Sequence, residues 1–489
     1  MSDGREIELK FLCAPEDLGA VLAAAPDGDE DCRELISVYF DTTDQTLQKA
    51  GVSLRVRESN GGRVQTLKRG EGLYREEHET PIAGNAPDPE IKPLRSLLPD
   101  GTSLKPAFNV RVTRRQRLIR LGDAEIELAV DQGEVRGGRR SSPISEVELE
   151  LKAGSPKALF DLARELSRAA PLHISFEGKA ARGQALIAGA PLQVRMSDEI
   201  ELPKTATAAE AFQANARSAL SQIAANAEVL RAAPESEAVH QLRVGARRLR
   251  SLIATFSSVV GDTAVAGVKS ELRWLVADSN AARNLNVFAE AVRAEAHRVD
   301  PPPGGIMALA DAVEAAARSA EAEVGLAVSS PRFRTLMLET TAWVETGDWL
   351  SASPAVAEPA IAFAERGLTK RRRKLLKLGR RLDEADDVGR HHVRIEAKKL
   401  RYAAEGLGGL FPPKAARHFV SRLKVVQDQL GALNDIATTK GLVAGLALTQ
   451  DAAFAAGELA GRGEATKPEL IACAEKALGR LRKLKPFWA

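Results

Sequence analysis

The chain has 489 residues, of which 44% are hydrophobic and 28% charged, a composition that is typical of globular domains and excludes a disordered chain. Its three cysteines lack paired spacing, which excludes a disulfide framework and a thiolate zinc site. The sequence has no run of 18 apolar residues, so no membrane helix is predicted. Residues 1–190 hold 27 basic against 31 acidic side chains, and residues 191–489 hold 42 against 35, so we expect two chemically different parts. The charged first residues lack the apolar core of a signal peptide, and we expect a cytoplasmic protein without a membrane partner.

Strands are predicted in the first part by polar and apolar residues that alternate with a period of two. The alternation runs through residues 6–10, 54–57, 125–131 and 145–152, and glycine-containing turns separate these runs. Such alternation gives each strand one apolar and one polar face. The first part is therefore predicted to be an antiparallel sheet.

Two helices are predicted beside these strands, over residues 14–25 and 156–169. Ser155 is the expected N-cap of the second helix, and Pro156 occupies its first position, where the missing N–H costs nothing.

The alternation places groups of charges on single faces of the predicted strands. The groups are Glu6, Glu8 and Lys10; Arg55 and Arg57; Arg75, Glu77 and Glu79; and Glu146, Glu148 and Glu150. Like charges side by side repel each other, so these runs indicate either a solvated face or a binding site. A sheet closed into a barrel would direct them into a polar interior, where carboxylates suit Mg²⁺ or Mn²⁺ and arginines suit phosphate. A metal ion with a basic cradle is what phosphoryl transfer requires.

Helices are predicted in the second part, which shows a 3.6-residue period from about residue 208 onwards. The segment before it contains two prolines and no clear period. We therefore expect a first domain over residues 1–190, a linker over residues 191–207 and an all-helical domain over residues 208–489.

An internal repeat divides the helical domain. The run His240-Gln-Leu-Arg243-Val-Gly-Ala-Arg247-Arg248-Leu-Arg250 recurs 151 residues later as His391-His-Val-Arg394-Ile-Glu-Ala-Lys398-Lys399-Leu-Arg401. The same offset relates Ala211-Phe212 to Ala362-Phe363. The repeat predicts two copies of about four helices each, over about residues 208–350 and 359–489.

Each copy presents one histidine and three bases at positions i, i+3, i+7 and i+10, which share one helical face. The segment 366–381 adds nine bases and no acid in 16 residues. Such rows indicate either solvated helix surface or a site for a linear polyanion, because like charges stacked on one face destabilise a helix. Nucleic acid is disfavoured as the ligand because aromatic residues for base stacking are nearly absent and no nucleic-acid-reading motif is evident.

The first part resembles the CYTH superfamily, the triphosphate tunnel metalloenzymes, in a series of motifs that occur in order. These are Glu6-Ile-Glu8-Leu-Lys10, Tyr39-Phe40-Asp41-Thr-Thr, Ser53-Leu-Arg55-Val-Arg57, Thr66-Leu-Lys68, Phe108-x-x-Arg111-x-x-Arg114, Asp131-x-Gly133, Ser145-Glu-Val-Glu148-Leu-Glu150 and Glu177-Gly-Lys179-x-x-Arg182-Gly183. The resemblance implies a closed antiparallel β tunnel in which a triphosphate lies.

The CYTH resemblance also implies roles for individual residues. The implied metal ligands are Glu6, Glu8, Asp131, Glu146, Glu148 and Glu150. The implied substrate-binding residues are Lys10, Arg55, Arg57, Lys68, Arg111, Arg114, Lys179 and Arg182. Glu6, Glu8, Lys10 and Asp131 are the implied catalytic residues, with Mg²⁺ or Mn²⁺ as the cofactor.

The second part resembles the CHAD domain, a helical module found fused to CYTH domains, which implies binding of inorganic polyphosphate. The two repeated rows carry the resemblance, together with Leu423-x-x-x-Gln427-Asp-x-Leu-Gly431-x-x-Asn434-Asp435. The implied polyphosphate-binding residues are His240, Arg243, Arg247, Arg248, Arg250, Arg283, Arg371, Lys374, His391, Arg394, Lys398, Lys399 and Arg401. The chain departs from the family pattern in the first copy, where Asn284 and Asn286 stand in two usually acidic places.

The sequence thus predicts an α+β protein of two domains: an antiparallel β tunnel barrel with flanking helices, then an all-α domain of two repeated bundles. The expected function is hydrolysis of a triphosphate, with inorganic tripolyphosphate as the leading substrate, and polyphosphate binding by the helical domain. Thiamine triphosphatase, class IV adenylate cyclase and a polyphosphate-binding protein without activity remain the alternatives.

Overall fold

The structure is a computed structural model, and it describes residues 5–59, 61–70, 72–99, 101–189, 192–298 and 300–489. The chain folds into two compact units. The first unit comprises Met1–Val194 and Ser330–Thr346, and the second comprises Arg195–Ser329 and Gly347–Ala489. Residues 190 and 191, where the expected domain boundary falls, lie outside the described part of the chain.

The first unit is built on one antiparallel sheet. Its strands are β1 (Arg5–Leu12), β2 (Asp29–Asp41), β3 (Val52–Ser59), β4 (Gly62–Arg69), β5 (Tyr74–Ile82), β6 (Lys105–Leu121), β7 (Ala124–Gly137), β8 (Arg140–Ala153) and β9 (His173–Ser175). They are ordered β5-β4-β3-β2-β6-β7-β8-β1-β9, and β1 also pairs with β5. This last pairing closes β1 to β8 into a barrel, which confirms the predicted fold class.

Within the described residues, six helices belong to the first unit. They are α1 (Leu18–Ala24), α2 (Thr46–Lys49), α3 (Lys92–Arg95), α4 (Pro156–Ala169), α5 (Lys179–Ala188) and α11 (Pro331–Thr346). The prediction for α4 is confirmed, since the Ser155 hydroxyl accepts a hydrogen bond from the backbone N–H of Lys157. The predicted helix at residues 14–25 is present as a 3-10 turn followed by α1.

Alternation along the strands gives the barrel an apolar outer face and a charged inner face. On the outside, Leu54 and Leu67 pack with Leu47 of α2 and Leu94 of α3. Inside, one end of the barrel is filled by apolar side chains, which are Leu35, Tyr39, Phe108, Val110, Val112, Val135, Ile144 and Leu186. Gly183 allows α5 to reach this end, because a Cβ there would lie 2.0 Å from the Phe108 ring.

Helix α11 joins the first unit although it lies between the two sequence repeats. It packs against α4 and β9, and its residues Phe333, Met337 and Trp343 are buried. The Arg164 guanidinium of α4 donates two hydrogen bonds of 2.8 Å to the Glu339 carboxylate. The helical domain expected over residues 208–489 is therefore interrupted, in this structure, by a helix that belongs to the barrel unit.

The second unit is helical. Its helices are α6 (Ala208–Ala232), α7 (Ser236–Thr255), α8 (Val265–Asp278), α9 (Asn280–Ala296), α10 (Gly304–Ser329), α12 (Trp349–Ala352), α13 (Ala360–Leu378), α14 (Asp387–Leu407), α15 (Pro413–Ala444) and α16 (Gln450–Lys483). None of the helices in the described ranges is both long and apolar enough to cross a membrane.

The helices repeat at the offset of 151 residues that the sequence shows. Helix α6 corresponds to α13, α7 to α14 and α10 to α16. The first copy differs in one element, because its third helix is broken at Ser279 into α8 and α9, whereas α15 runs through the equivalent position, Leu430. The rings of Phe256 and Phe363, one from each copy, stack with centroids 4.4 Å apart in the core of the unit.

Candidate functional site

The barrel encloses a cavity of about 600 Å³ whose walls are mostly charged. The cations that line it are Lys10, Arg33, Arg55, Arg57, Lys68, Arg75, Arg114, Lys152 and Lys179. The carboxylates that line it are Glu6, Glu8, Glu77, Glu79, Glu127, Glu148, Glu150 and Glu177. Nearly all the charged runs that alternation predicts on the strands therefore meet in one cavity.

The deepest part of the barrel interior pairs two lysines with three carboxylates. Lys10 lies 3.1 Å from Glu146 and 2.8 Å from Glu148. Lys179, at the start of α5, lies 2.8 Å from Asp131, 2.9 Å from Glu146 and 2.7 Å from Glu148. Burial by itself would raise the pKa of Asp131, but Lys179 and Arg114 beside it lower this pKa to about 2. The pKa values of Glu146 and Glu148 are likewise lowered, because the neighbouring lysines outweigh the effect of burial, so the three carboxylates are ionised at neutral pH.

Arg114 connects this layer to the rest of the barrel interior. Its guanidinium donates hydrogen bonds of 2.7 and 2.6 Å to the two oxygens of Asp131, and a further one of 2.6 Å to Glu148. Such a forked arrangement is rigid, because two parallel charge-assisted bonds fix the orientation of the guanidinium. Arg114 is thus held by protein carboxylates.

Arg55 and Arg57 on β3 form a more weakly paired basic group. Arg57 donates to the Ser37 hydroxyl at 3.2 Å, and the Arg55 guanidinium lies 3.4 Å from Glu77. Burial, with the charges of Arg55 and Arg114 nearby, lowers the pKa of Arg57 to about 10. A buried arginine crowded by other arginines is stabilised by an anion, so this part of the barrel interior is suited to phosphate oxygens.

A row of carboxylates crosses three neighbouring strands. Glu8 of β1 and Glu127 of β7 are both register partners of Glu150 on β8. Burial raises the pKa of Glu150 to about 7, and the charges of Glu6 and Glu127 add to this rise, although Lys152 lies only 2.6 Å away. Carboxylates directly opposite one another repel, and a bound cation would remove that repulsion.

The barrel interior contains the carboxylates that the predicted metal site requires, but these carboxylates do not form a cluster. Within the described residues, no three or more His, Cys, Asp or Glu side chains are grouped closely enough to hold a metal ion. Most of the carboxylates instead face lysines and arginines, as Glu6 faces Lys68 at 3.0 Å and Glu8 faces Arg75 at 3.2 Å. However, the second oxygen of Glu8 is buried without a hydrogen-bond partner. This oxygen and the hard carboxylate donors around it fit Mg²⁺ or Mn²⁺ in chemistry.

Arg111 does not reach the barrel interior, and the expectation that it binds substrate is corrected by the structure. Its side chain is 61% exposed and lies 3.4 Å from Glu34 on the outside of the barrel. The reason is the strand period, because residues three positions apart point to opposite faces and Arg114 takes the inner one. Arg182 lies behind the cavity, with its Nε 3.3 Å from the buried Glu146.

Seven charged residues that line the cavity had no role implied by the sequence, which are Arg33, Arg75, Glu77, Glu79, Glu127, Lys152 and Glu177. Arg75 and Glu127 stand in alternating runs, so the period of two could have indicated them. Arg33 has no such signal, since it precedes the apolar run of β2 and reaches the cavity only through its pairing with Arg114 on β6.

In the second unit, the two repeated rows meet where α7 packs against α14. Burial lowers the pKa of Lys398 to about 6, and the charges of Arg394, on its own helix, and of Arg247, on α7, add to this effect. Arg247 also contributes to the lowered pKa of Arg394, after burial. The bases of both copies are therefore close enough to repel each other in one cluster.

Several nitrogens of this cluster are buried and lack a hydrogen-bond partner. They are His240 Nδ1 and the Nε atoms of Arg243, Arg247, Arg394 and Arg401. Buried donors are almost always paired in folded proteins, so a group of unpaired ones indicates a place for an acceptor such as an anion. Asp435, whose pKa is raised by burial, is the nearby acid that partly offsets the charges of Arg394 and Lys398.

The two copies use their equivalent arginines differently. Arg243 is 4% exposed and donates to the Val276 carbonyl at 3.0 Å, the Ser279 hydroxyl at 3.3 Å and the Asn280 side chain at 2.7 Å, all at the break between α8 and α9. The positions equivalent to Ser279 and Asn280 in the second copy are Leu430 and Gly431, whose side chains offer no acceptor. Arg243 therefore joins two helices, whereas Arg394 has no such anchor.

The remaining expected polyphosphate-binding residues lie around this cluster. Arg283 is near His240, and burial followed by the Arg283 charge lowers the pKa of His240 to about 4. His391 Nδ1 lies 2.8 Å from the Asn434 amide oxygen, and the pKa of Arg250 is lowered by burial and then by Arg273. The other four are bound by neighbours away from the cluster: Arg248 by Gln222, Arg371 by Thr255, and Lys374 and Lys399 by Glu396.

A closed barrel with a charged interior, followed by a duplicated helical unit with a basic cluster, defines the class of this protein. Residues 4–183 match the family model of the CYTH domain, and residues 214–444 match that of the CHAD domain. The chain thus carries a CYTH domain followed by a CHAD domain.

Similar proteins exist for each part. The inorganic triphosphatase of Haemophilus influenzae is 32% identical over 194 residues, which are 37% of this chain and 55% of that protein, so the chain spans little more than half of this relative. The CHAD domain of Ricinus communis is 28% identical with a TM-score of 0.53, over 60% of this chain and 98% of that one. A protein of Hippeastrum, with a dominant triphosphatase activity, is 21% identical over 37% of this chain and 95% of its own, with a TM-score of 0.29.

Proposed function

We propose that the barrel unit hydrolyses a triphosphate, with inorganic tripolyphosphate as the substrate. The observation that carries this proposal is the cavity of the barrel, in which nine cations face eight carboxylates. A chain of phosphates carries closely spaced negative charges and needs many cations at once, whereas a purely structural interior would be apolar. The similarity to an inorganic triphosphatase supports the same reaction class.

The side chains of the cavity have different roles in this reaction. Arg55 and Arg57 bind phosphate oxygens, because carboxylates engage these two arginines only loosely. Lys68 also binds a phosphate oxygen, by exchanging its partners Glu6 at 3.0 Å and Glu77 at 2.9 Å. Lys10 and Lys179 neutralise the buried carboxylates and can exchange these partners for phosphate oxygens. Such exchange costs little electrostatic energy, since one charge-assisted contact replaces another.

The carboxylates Glu6, Glu8, Glu148 and Glu150 would hold Mg²⁺ or Mn²⁺, with Asp131 and Glu146 orienting the lysines behind them. A bound divalent ion supplies charge neutralisation to the phosphates and lowers the pKa of a coordinated water. The chain's own contribution is to hold the triphosphate extended between the arginines of β3 and the carboxylates of β1 and β8. Positioning of this kind accounts for most of the catalysis in phosphoryl transfer.

The activity is tested with purified protein and Mg²⁺ or Mn²⁺, offered tripolyphosphate, ATP and thiamine triphosphate in parallel. Release of orthophosphate and pyrophosphate from tripolyphosphate is expected. Cyclic AMP from ATP would identify a cyclase, preferential cleavage of thiamine triphosphate would identify a thiamine triphosphatase, and no turnover would leave a binding protein. The variant Glu8→Gln should lose turnover, while Glu34→Gln, on the outside of the barrel, should keep it.

We also propose that the basic cluster of the second unit binds inorganic polyphosphate. The buried, unpaired nitrogens of His240, Arg247, Arg394 and Arg401 carry this proposal. Binding should weaken steeply with salt, because each phosphate contact releases counterions from the polymer. Titration with long-chain polyphosphate at several salt concentrations tests this, and Arg394→Gln with Lys398→Gln should abolish most of the binding.

The domain limits expected from the sequence remain part of this proposal. The barrel function is assigned to residues 1–190 and the binding function to residues 208–489, with residues 191–207 as the linker. Helix α11 modifies this assignment, because it is part of the barrel unit in the structure.

A further inference from the structure

The basic segment 366–381 presents two different sides in the structure. On one side of α13, Arg371 donates to the Thr255 hydroxyl at 2.8 Å, and Lys374 pairs with Glu396 of α14 at 3.0 Å. The bases on the other side are exposed and have no ion pair within the described residues. They are Lys370, Arg373 and Lys377 of α13, and Arg380 of the 3-10 turn that follows, at positions i, i+3, i+7 and i+10.

A second basic segment, far away in the sequence, lies against the first. Residues 476–485 contain five bases and no acid. The Arg372 guanidinium of α13 donates hydrogen bonds to the backbone carbonyls of Arg482 at 3.0 Å and Leu484 at 3.1 Å. Gly379 lies directly against the Leu478 side chain of α16. The C-terminal ends of α13 and α16 are thus side by side.

We name the exposed bases of these two neighbouring segments the outer basic surface. Its members, all exposed, are Lys370, Arg373, Lys377, Arg380, Lys476, Arg480, Arg482, Lys483 and Lys485. Within the described part of the chain, none of these nine side chains forms an ion pair with a carboxylate. The surface is separate from the basic cluster, because α13 meets α14 through Lys374 and Glu396, and the cluster residues Arg394 and Lys398 lie on another face of α14.

Helix-end electrostatics accounts for only part of this arrangement. Cations in the last turn of a helix are stabilised by its dipole, and Lys377, Arg480, Arg482 and Lys483 lie in such turns. Lys370, Arg373 and Lys476 lie one or more turns earlier, where the dipole effect has faded. Like charges three or four positions apart on a helix are destabilising by themselves. The arrangement therefore costs stability unless an anion with many charges binds there.

We propose that the outer basic surface binds a segment of linear inorganic polyphosphate, as a second site beside the basic cluster. Single-stranded nucleic acid is disfavoured because its binding combines basic residues with exposed aromatic rings on which bases stack, and the aromatic residues nearest this surface pack against other side chains. Trp488 is 3% exposed, and the Phe487 ring packs against Phe411 with centroids 5.4 Å apart. The inference rests on the proposed polyphosphate binding of the second unit, and it adds a site that acts only on chains long enough to reach both places.

The test compares four-fold glutamine variants of the full-length protein. One variant replaces Lys370, Arg373, Lys377 and Arg380, and a second replaces Arg480, Arg482, Lys483 and Lys485. The matched control replaces four exposed bases of α15, which are Lys414, Arg417, Arg422 and Lys424. Binding of tripolyphosphate, of long-chain polyphosphate and of single-stranded DNA of matched charge is measured by calorimetry at several salt concentrations, with melting temperatures as the check of folding.

Either surface variant should bind long-chain polyphosphate at least tenfold more weakly than the wild type, with tripolyphosphate binding unchanged within twofold. The slope of log Kd against log salt should fall by up to about 3, because each lost phosphate contact removes about 0.7. An unchanged affinity for the long chain, an equal loss in the α15 control, or an equal loss of DNA binding would each overturn the second site. A wild-type protein that binds no polyphosphate at low salt would overturn the proposed function of the whole unit, and this inference with it.

Discussion

At the scale of single residues, the barrel interior is governed by how completely each cation is paired. Arg114 is held by three short bonds to Asp131 and Glu148, whereas Arg57 has one hydroxyl acceptor and other arginines near it. Free energy of substrate binding should therefore come mostly from the weakly paired group. A cation that already has its carboxylates gains less when it exchanges them for phosphate.

Arg57→Gln should raise the KM for tripolyphosphate by about tenfold to a hundredfold, since a hydrogen bond to a charged group contributes about 1.5–3 kcal/mol. The melting temperature should not fall, because the change removes a buried charge from beside Arg55 and Arg114. Arg111→Gln is the control, and its KM should match that of the wild type because the side chain lies outside the barrel. Steady-state kinetics with thermal melting measures both, and equal effects of the two variants would contradict this assignment.

Lys398 predicts a pH dependence for polyphosphate binding. Its pKa of about 6 in the free protein lies far below the usual value, and a bound anion raises it by favouring the charged form. Binding therefore takes up a proton above pH 6, so affinity should fall as pH rises from 6 and level off below 6. Each pH unit can change the affinity by up to about tenfold.

Calorimetric titration between pH 5 and pH 9 checks this dependence, and Lys398→Arg is the control. An arginine keeps its charge over the whole range, so the pH dependence should flatten in this variant. The polymer's own end groups titrate identically in both proteins and cancel from the comparison. A pH profile that is the same for both would show that Lys398 does not take up the proton.

At the scale of elements, the difference between the two copies lies in one helix. The first copy breaks at Ser279 and ties the break to Arg243, while α15 continues through Leu430 and Gly431. The sequence shows the substitutions at these positions. The sequence does not show that Ser279 and Asn280 accept hydrogen bonds from Arg243 of the basic row, because these contacts depend on how α7 packs on α8 and α9.

Arg243→Ala should lower the free energy of unfolding by about 1–3 kcal/mol, since the acceptors at Val276, Asn280 and the fully buried Ser279 lose their donor. Arg394→Ala should leave stability unchanged or raise it, because its buried Nε has no partner and its charge is crowded by Arg247. The affinity for polyphosphate should respond in the opposite order, with the greater loss in Arg394→Ala. Urea denaturation and polyphosphate titration of the two variants check both orders, and equal stability losses would contradict the contrast.

At the scale of the whole molecule, the chain does not divide at one point. Helix α11 follows the first helical copy in sequence but packs with the barrel unit through α4 and β9. The barrel unit as the structure has it therefore needs a segment that lies more than a hundred residues after its last strand.

A fragment of residues 1–194 should melt at least about 5 °C below the same fragment with residues 330–346 attached by a flexible linker, because each large apolar side chain buried contributes about 1.5–3 kcal/mol. The fragment with α11 should hydrolyse tripolyphosphate, and the shorter one should be prone to aggregation through its uncovered α4. Glu339→Gln in the longer fragment tests the pair with Arg164 separately. If both fragments melt together, α11 is not part of the folded barrel unit.

The sequence by itself determined the features that depend on local periodicity, such as the face on which a side chain lies and the position of a repeat. A period of two placed Glu6, Glu8 and Lys10 on one face, a capping pattern located α4, and the 151-residue offset located the second helical copy. The tertiary structure decided which of these faces meet. The register that aligns Glu8, Glu150 and Glu127, the exclusion of Arg111, the place of α11 and the junction of the two basic segments at Arg372 all depend on contacts between residues distant in sequence. Side-chain direction along one strand or helix follows from backbone geometry, whereas pairing between elements follows from the packing of the whole chain.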